Sequence, residues 1–286
     1  MIQDILPRKF HNTFVRKEPS PDSRILSFRE GQALYREQEG ELQFLTLRQV
    51  EEYYGEKAQE LPEAVFLFSV DRQDYFLMDL EEISIKGYTY HKMFETRRLF
   101  PKENVLAAAT GWHLYVWYRD NQYCGRCARK LVHDEKLRMM KCPDCGNMVF
   151  PKIAPAVIVG VTDGDRILMT KYADREYKKY ALIAGFTEIG ETAEQTVERE
   201  VMEEVGLSVK NIRYYKSQPW GYDSNLLLGY FCDLAKEEEI HLDQTELSMA
   251  EWVDYRDVPD DPEGLSLTRE MMITFREQKK REHGQK

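Results

Sequence analysis

The chain has 286 residues, of which 42% are hydrophobic and 31% charged, so it can form real hydrophobic cores and is long enough for two or three domains. Its formal net charge of −10 argues against a surface that coats nucleic acid generally, while a local basic patch stays compatible with it. No apolar run is long enough to span a membrane and the N-terminus lacks the apolar segment of a signal peptide, so we expect a soluble, cytoplasmic protein that does not engage membranes.

Residues 1–118 predict an N-terminal α+β domain. Strands are expected over 64–70 and 75–78, joined by a tight turn, and helical patterns cover 45–54 and 103–118. This region carries no chemical motif, so a structural or dimerising role is the simplest interpretation.

Residues 119–152 predict a separate zinc-binding module. Two CxxC pairs, Cys124/Cys127 and Cys142/Cys145, can offer four thiolates to one ion in a tetrahedral site. Gly125 and Gly146 suit the turns beside the sulfurs. Four sulfurs leave no open position for water, so we expect one structural Zn²⁺ per subunit; a redox pair is the alternative. Cys232 lies outside the pattern and predicts a small buried residue.

Residues 153–286 predict a mixed sheet with packed helices. Strands are expected over 156–161, 166–170, 225–232 and 250–253, an acidic helix over 192–205 and a final helix over 267–280. The segment Ser217–Asn225, with sequence SQPWGYDSN, contains proline and glycine and is expected to be an aromatic loop.

The acidic helix carries the most informative pattern. Glu200, Glu203 and Glu204 stand at i, i+3 and i+4 and share a helix face that overlaps the apolar stripe of Ala193, Val197 and Val201. Carboxylates beside a core are costly unless something neutralises them, and Mg²⁺ or Mn²⁺ with oxygen ligands fits. A solvated acidic face is the alternative.

The same region resembles the Nudix box. Gly185, Glu191, Arg199-Glu200-Val201, Glu203-Glu204 and Gly206-Leu207 match every fixed position of G-x5-E-x7-R-E-U-x-E-E-x-G-U. The resemblance implies a Nudix hydrolase with an α/β/α sandwich, which cleaves a nucleoside diphosphate linked to a further group. It also implies metal binding chiefly by Glu200 and Glu204, with the Ala184 carbonyl as a further ligand. Glu203 matches a third ligand or a catalytic base, which of the glutamates is the base is left open, and Arg199 is implied to orient a carboxylate.

The order of zinc knuckles, Nudix box and SQPW motif is similar to that of the NAD(H) diphosphatases, over about residues 95–286. This resemblance implies hydrolysis of NADH or NAD⁺ to nicotinamide mononucleotide and AMP by a homodimer. Removal of the NAD cap from RNA 5′ ends is a close variant. The alternatives are a pyrophosphatase for another derivative, such as ADP-ribose, and a non-catalytic nucleotide sensor.

The resemblance also implies substrate and metal residues outside the box. Phe150 matches an aromatic residue that stacks on the substrate base, Glu246 a further metal ligand, and Thr268 a position whose backbone touches substrate. An arginine at Arg97 or Arg98 is expected to reach the substrate. The expected substrate-binding segment comprises Gln218, Pro219, Trp220, Gly221, Tyr222, Asp223, Ser224 and Asn225.

The segment departs from its relatives in its second half. Where they often have QPWPFP followed by serine, this chain has Gly221-Tyr222-Asp223 and then Asn225 at the position of the serine. We expect Trp220 to close a pocket wall, and Gln218 and Asn225 to offer hydrogen bonds to substrate.

Overall fold

The structure is a computed structural model that describes residues 1–55, 61–80, 83–173 and 179–284. Its contacts divide the chain into two compact units. The N-terminal unit comprises residues 2–152 and 220–224, and the C-terminal unit comprises Met1, 153–219 and 225–286. Among the described residues, no helix combines the length and apolarity that crossing a membrane requires.

Short strands build the N-terminal unit. The strands predicted over 64–70 and 75–78 are present at 65–70 and 73–77, and both predicted helices are present. Its strands are β1 (Phe10–His11), β2 (Arg24–Leu26), β3 (Phe28–Arg29), β4 (Gln32–Gln38), β5 (Glu41–Gln43), β6 (Leu45–Thr46), β7 (Val65–Val70), β8 (Gln73–Leu77) and β9 (Thr89–Lys92). They form a sheet in the order β1-β7-β8-β2-β6 and a second one in which β4 pairs with β3, β5 and β9. The helices are α1 (Leu47–Tyr54) and α2 (Lys102–Asp120), with a 3₁₀ helix at Met93–Arg98.

Three two-residue strands follow α2 and hold the cysteine region. They are β10 (Val132–His133), β11 (Met140–Lys141) and β12 (Met148–Val149), joined in an antiparallel sheet.

The C-terminal unit contains a mixed sheet of six strands. They are β13 (Ala154–Asp163), β14 (Arg166–Tyr172), β15 (Ile183–Phe186), β16 (Val209–Trp220), β17 (Asn225–Leu234) and β18 (Leu247–Asp254). The order is β16-β17-β13-β14-β18, with β15 also paired to β13. β13 runs parallel to β17 and antiparallel to β14 and β15, so the predicted mixed sheet is confirmed.

Helices α3 (Ala193–Val205) and α4 (Leu267–Glu282) cover opposite faces of this sheet. Val157, Val159 and Val161 of β13 share a buried cluster with the apolar side chains of α3. The alternate residue Ile158 pairs with Gly229 of β17, and a side chain at Gly229 would meet Met271 of α4. Because side chains alternate across a strand, the two helices lie on the two sides of the sheet, as the expected α/β/α sandwich requires.

Candidate active site

Helix α3 is fixed at both ends by its own sequence. Thr192 caps its start, with a reciprocal pair of hydrogen bonds to Gln195 that forms a capping box. Gly206 ends it in the left-handed conformation at φ 69°, and its amide bonds to the Met202 carbonyl. The carboxylates between these ends are therefore held on a rigid element.

The three box glutamates of α3 differ in burial. Glu200 and Glu204 are 8% and 3% exposed, beside the fully buried Val197 and Val201, whereas the side chain of Glu203 is 59% exposed. The predicted overlap of a carboxylate face with the apolar stripe is thus present for two residues. Glu203 lies at the edge of this apolar stripe, and its side chain faces solvent.

Gly185 makes room for the Glu200 carboxyl group. A Cβ atom at Gly185 would lie 1.8 Å from the carboxyl carbon of Glu200 and about equally close to both oxygens. The neighbouring Ala184 pairs with Ile158 in β13, which fixes the strand beneath the carboxylate. The first glycine of the box is therefore required by close approach to Glu200 and not by a turn, since Gly185 lies within β15.

Arg199 joins the loop before α3 to the carboxylates on it. Its guanidinium donates to both Glu191 oxygens, at 2.6 and 2.9 Å, and to the Phe186 carbonyl at 2.9 Å. The same group donates to Glu200 Oε1 at 2.7 Å and to Glu203 Oε2 at 3.0 Å. The prediction that Arg199 orients a carboxylate agrees with this geometry.

The charges at the site shift two carboxyl groups in opposite directions. Hydrogen bonds from Arg199 lower the pKa of Glu191 to about 2. Burial raises the pKa of Glu200 despite Arg199, and the nearby charges of Glu203 and Glu246 raise it further. Glu246 itself is exposed. One arginine does not neutralise this group of carboxylates, and a divalent cation with oxygen ligands suits it.

The four ribbon cysteines form a far tighter cluster. Their sulfur atoms lie within 4.8 Å of one another, and over the described ranges no other group of three or more histidine, cysteine or acidic ligand atoms gathers this closely. The backbone N–H of Cys145 donates to Cys142 Sγ at 3.5 Å and lowers the pKa of that thiol. Deprotonated sulfurs in a tetrahedral cluster are the ligands of structural zinc, which the site therefore fits.

The two zinc knuckles use different residues for the same turn. In the second, Gly146 has φ 71°; in the first, the equivalent residue is Ala128, with φ 59°. Gly125 lies in the turn of the first knuckle, as expected, but it has no positive φ, and Ala128 is the residue there that adopts the left-handed conformation.

The segment expected to be an aromatic loop is structured, and this prediction is wrong. Residues 217–220 end strand β16, and Gly221–Asp223 forms a 3₁₀ turn before β17. In the C-terminal unit, Gln218 is fully buried. It donates to the Leu265 carbonyl at 2.9 Å and accepts from the Leu267 amide at 2.7 Å. Its amide thus holds the start of α4, and its expected contact with substrate stays a prediction.

Two other predicted substrate residues belong to the C-terminal unit. Asn225, the first residue of β17, is 9% exposed, and its Oδ1 has no hydrogen-bond partner among the described residues. Thr268 is the second residue of α4 and half-buried. Pro219 lies between Gln218 and the end of β16.

Residues 220–224 pack within the N-terminal unit. The Trp220 ring lies 4.9 Å from the Tyr222 ring in a tilted arrangement, and its Nε1 donates to Asp223 at 2.9 Å. Ser224 follows in the left-handed conformation at φ 59°. A Cβ atom at Gly221 would lie 2.1 Å from the Ala109 carbonyl oxygen, so only glycine fits there.

Of the two arginines that the sequence left open, Arg97 lies beside aromatic residues of this segment, and its contact with substrate stays a prediction. The Arg97 guanidinium lies 5.0 Å from the Trp220 ring and 4.5 Å from the Phe94 ring. Tyr222 donates to or accepts from Thr96 at 2.9 Å and contacts the ring of Phe94. The sequence offered no signal for Thr96. Phe150, also in this unit, leaves about half of its ring exposed.

Comparison with known proteins agrees with these features. Residues 152–274 match the NUDIX domain model, and residues 119–150 match the NADH pyrophosphatase zinc ribbon domain. The NAD-capped RNA hydrolase NudC of Klebsiella pneumoniae subsp. pneumoniae is 37% identical over 171 residues, 59% of this chain and 66% of that protein. The protein of the same name from Erwinia tasmaniensis is 35% identical over 190 residues, 66% of this chain and 72% of its own length. Among solved structures, a NUDIX hydrolase from Nitrosomonas europaea is 22% identical, covering 57% of this chain and 94% of its own, with a TM-score of 0.49.

The chain belongs to the Nudix family, in the group whose members carry an NADH pyrophosphatase zinc ribbon. It spans about two thirds of the length of the curated relatives that it matches. The predicted family, fold class and zinc ribbon are thereby confirmed, and the Mg²⁺ or Mn²⁺ requirement is the one that Nudix hydrolases have.

Proposed function

We propose that this protein hydrolyses the pyrophosphate bond of NADH or NAD⁺ to nicotinamide mononucleotide and AMP, and removes the NAD cap from RNA 5′ ends. The observation that carries the proposal is the buried Glu200 carboxylate seated against Gly185 on an intact box. Two features support nicotinamide dinucleotides as substrates: the match to the NADH pyrophosphatase zinc ribbon, and relatives named NAD-capped RNA hydrolase.

Glu200 and Glu204 would hold the catalytic metal, with Glu203, Glu246 and the Ala184 carbonyl completing the ligand set. Bound Mg²⁺ or Mn²⁺ would shield the pyrophosphate charge and lower the pKa of an attacking water. The protein itself positions the carboxylates. Burial fixes Glu200, and Arg199 donates to both Glu200 and Glu203, which offsets the repulsion between these carboxylates before metal binds.

We propose that aromatic and polar side chains bind the substrate. Phe150 is half-exposed and able to stack on a base, and Asn225 has an amide oxygen that can accept a hydrogen bond. Trp220, Tyr222 and Arg97 form one packed cluster, which suits a rigid wall for a nucleotide. We also propose a cytoplasmic homodimer, which follows from resemblance and is checked by light scattering on the purified protein.

A substrate panel tests the function. NADH, NAD⁺, NAD-capped RNA, ADP-ribose and nucleoside triphosphates are incubated with enzyme and Mg²⁺ or Mn²⁺, and products are identified by mass. We expect AMP from both dinucleotides, together with reduced nicotinamide mononucleotide from NADH and nicotinamide mononucleotide from NAD⁺, and 5′-monophosphate RNA from NAD-capped RNA. Activity confined to ADP-ribose or to triphosphates contradicts the proposal, and binding without any turnover would favour a nucleotide sensor.

Glu204→Gln tests the metal site with little change in shape. Removing the charge of one buried ligand is expected to lower kcat by on the order of 100-fold or more while the protein stays folded and retains zinc. Glu198→Gln is the matched control, since Glu198 is exposed on the same helix. Equal activity of Glu204→Gln and wild type would place the metal elsewhere.

A further inference from the structure

The three-stranded ribbon sheet has one inward and one outward face. Its cross-strand register aligns Val132, Lys141 and Met148 in one row, and all three are exposed. The adjacent row contains His133, whose ring lies 5.1 Å from the Tyr118 ring of α2. Because neighbouring rows point to opposite sides, the first row lies on a face directed away from α2.

This outward face continues beyond β10. Lys130 precedes Val132 by two residues, so strand alternation directs it to the same side. The backbone of Lys130 forms an isolated antiparallel β-bridge with Tyr123, whose side chain is 64% exposed. We define the ribbon face as Tyr123, Lys130, Val132, Lys141 and Met148. It combines two lysines with an aromatic ring and two apolar side chains.

The charge of the chain is distributed unevenly around this face. Residues 119–152 hold eight basic and four acidic residues, whereas the rest of the chain holds 32 basic and 46 acidic residues. Zinc with four thiolates carries about two negative charges, which leaves the ribbon module net positive. A positive module on an acidic protein is a local electrostatic feature that the net charge of −10 conceals.

We propose that the ribbon face binds single-stranded RNA. Lysines that contact phosphates, interleaved with a ring on which a base can stack, are the two parts of a single-strand binding surface. A second copy of this chain is the less suitable occupant, because a two-fold interface would bring the lysines of identical faces together. The RNA need not have a fixed sequence, since every base has a face that stacks.

A binding and turnover experiment on the full-length, zinc-loaded protein tests this proposal. The variants are Lys130→Gln with Lys141→Gln, and separately Tyr123→Leu; Lys136→Gln is the control, an exposed lysine in the loop between β10 and β11. The probe is a 5′-phosphorylated single-stranded RNA, with its Kd measured over a range of salt concentrations. Values of kcat/KM are then measured for NAD-capped RNA and for NADH, which relies on the proposed function.

We expect the variants to weaken RNA binding and to leave NADH turnover unchanged. The double variant should raise the Kd by on the order of tenfold and reduce the salt slope by about 1.4, and Tyr123→Leu should raise the Kd by a similar factor with little change in slope. Turnover of NADH should be unchanged in both variants and in the control.

Other results overturn the inference. RNA affinity equal in all variants would exclude the ribbon face, and loss of affinity in Lys136→Gln as well would indicate general charge attraction. A change of oligomeric state in either face variant, seen by light scattering, would make the face an interface between copies. Absence of turnover on both substrates by wild type would refute the proposed function and leave the RNA-binding result to stand alone.

Discussion

Replacing Gly185 by alanine adds one methyl group at the place that the Glu200 carboxyl group occupies. The added Cβ would be 1.8 Å from the carboxyl carbon, while ordinary contact begins near 3.4 Å, so the carboxyl group must move by about 1.6 Å. Since Glu200 is a side chain and not backbone, it can move, and the strand β15 can remain in place.

The size of the effect follows from that displacement. A misplacement of about 1 Å at a reacting centre costs on the order of 100-fold in rate, so kcat/KM should fall at least that far. Stability should change little: the lost hydrogen bond from Arg199 costs about 1 kcal/mol, and the restricted unfolded chain returns about 0.4–1 kcal/mol.

The assay compares initial rates on NADH across a Mn²⁺ titration, together with thermal unfolding and zinc content. Gly125→Ala is the control, because a Cβ atom at Gly125 meets nothing within 4 Å and its φ is not positive. Wild-type kcat/KM in Gly185→Ala would refute the argument, as it would show that the position of Glu200 does not matter.

A double-mutant cycle sharpens this result. Glu200→Asp shortens the side chain by about 1.5 Å, which withdraws the carboxyl group from an alanine at position 185. Glu200→Asp should therefore cost much less activity in the Gly185→Ala background than in the wild-type background. Strictly additive losses would mean that the two residues act independently.

Three further predictions concern charge, packing and zinc. Arg199 lowers the pKa of Glu191 to about 2. The stability that Glu191 adds is therefore complete when the pH is above its pKa in the unfolded chain, near 4.5, and is lost as the pH falls through about 2. The difference in urea unfolding between wild type and Arg199→Gln should therefore shrink from about pH 5 toward pH 2, and a constant difference would contradict this. Gly221→Ala places a Cβ 2.1 Å from the Ala109 carbonyl oxygen and should lower unfolding stability by about 3 kcal/mol, whereas a melting temperature equal to that of wild type would contradict it. Cys124→Ser should lower zinc content well below one ion per chain and destabilise the ribbon, as measured by metal analysis and thermal unfolding; full zinc retention would count against the ligand set.

The C-terminal unit was predictable because its elements are long and periodic. Helix α3 begins and ends within one residue of its predicted bounds, and β13 and β14 include the predicted strands. Metal-site carboxylates could be found because a helix brings residues i, i+3 and i+4 together whatever surrounds it. The same geometry indicated that they overlap the apolar stripe, but it could not show that Glu200 and Glu204 are buried while Glu203 is exposed, since that depends on the sheet beneath.

The end of β16 was not predictable from local rules. Pro219 and Gly221 indicate a break, yet β16 is the edge strand of its sheet, and proline is tolerated where no partner needs its missing N–H. Gln218 likewise gave no sign of its role, because its partners Leu265 and Leu267 lie 47 and 49 residues away. In the N-terminal unit, strands of two or three residues are too short to show a period.

The parallel register of β13 with β17 sets an order of assembly for the C-terminal unit. Residues 154–162 pair with residues 225–233, so about seventy residues separate the two strands. The whole Nudix box, including α3, lies between them. During synthesis, helix α3 is therefore complete before β17 has been made, so closure of this long loop has to wait for the later strand. A chain that stops before Asn225 would contain Glu200, Glu203 and Glu204 and still lack strand β17, which pairs with β13 beneath them.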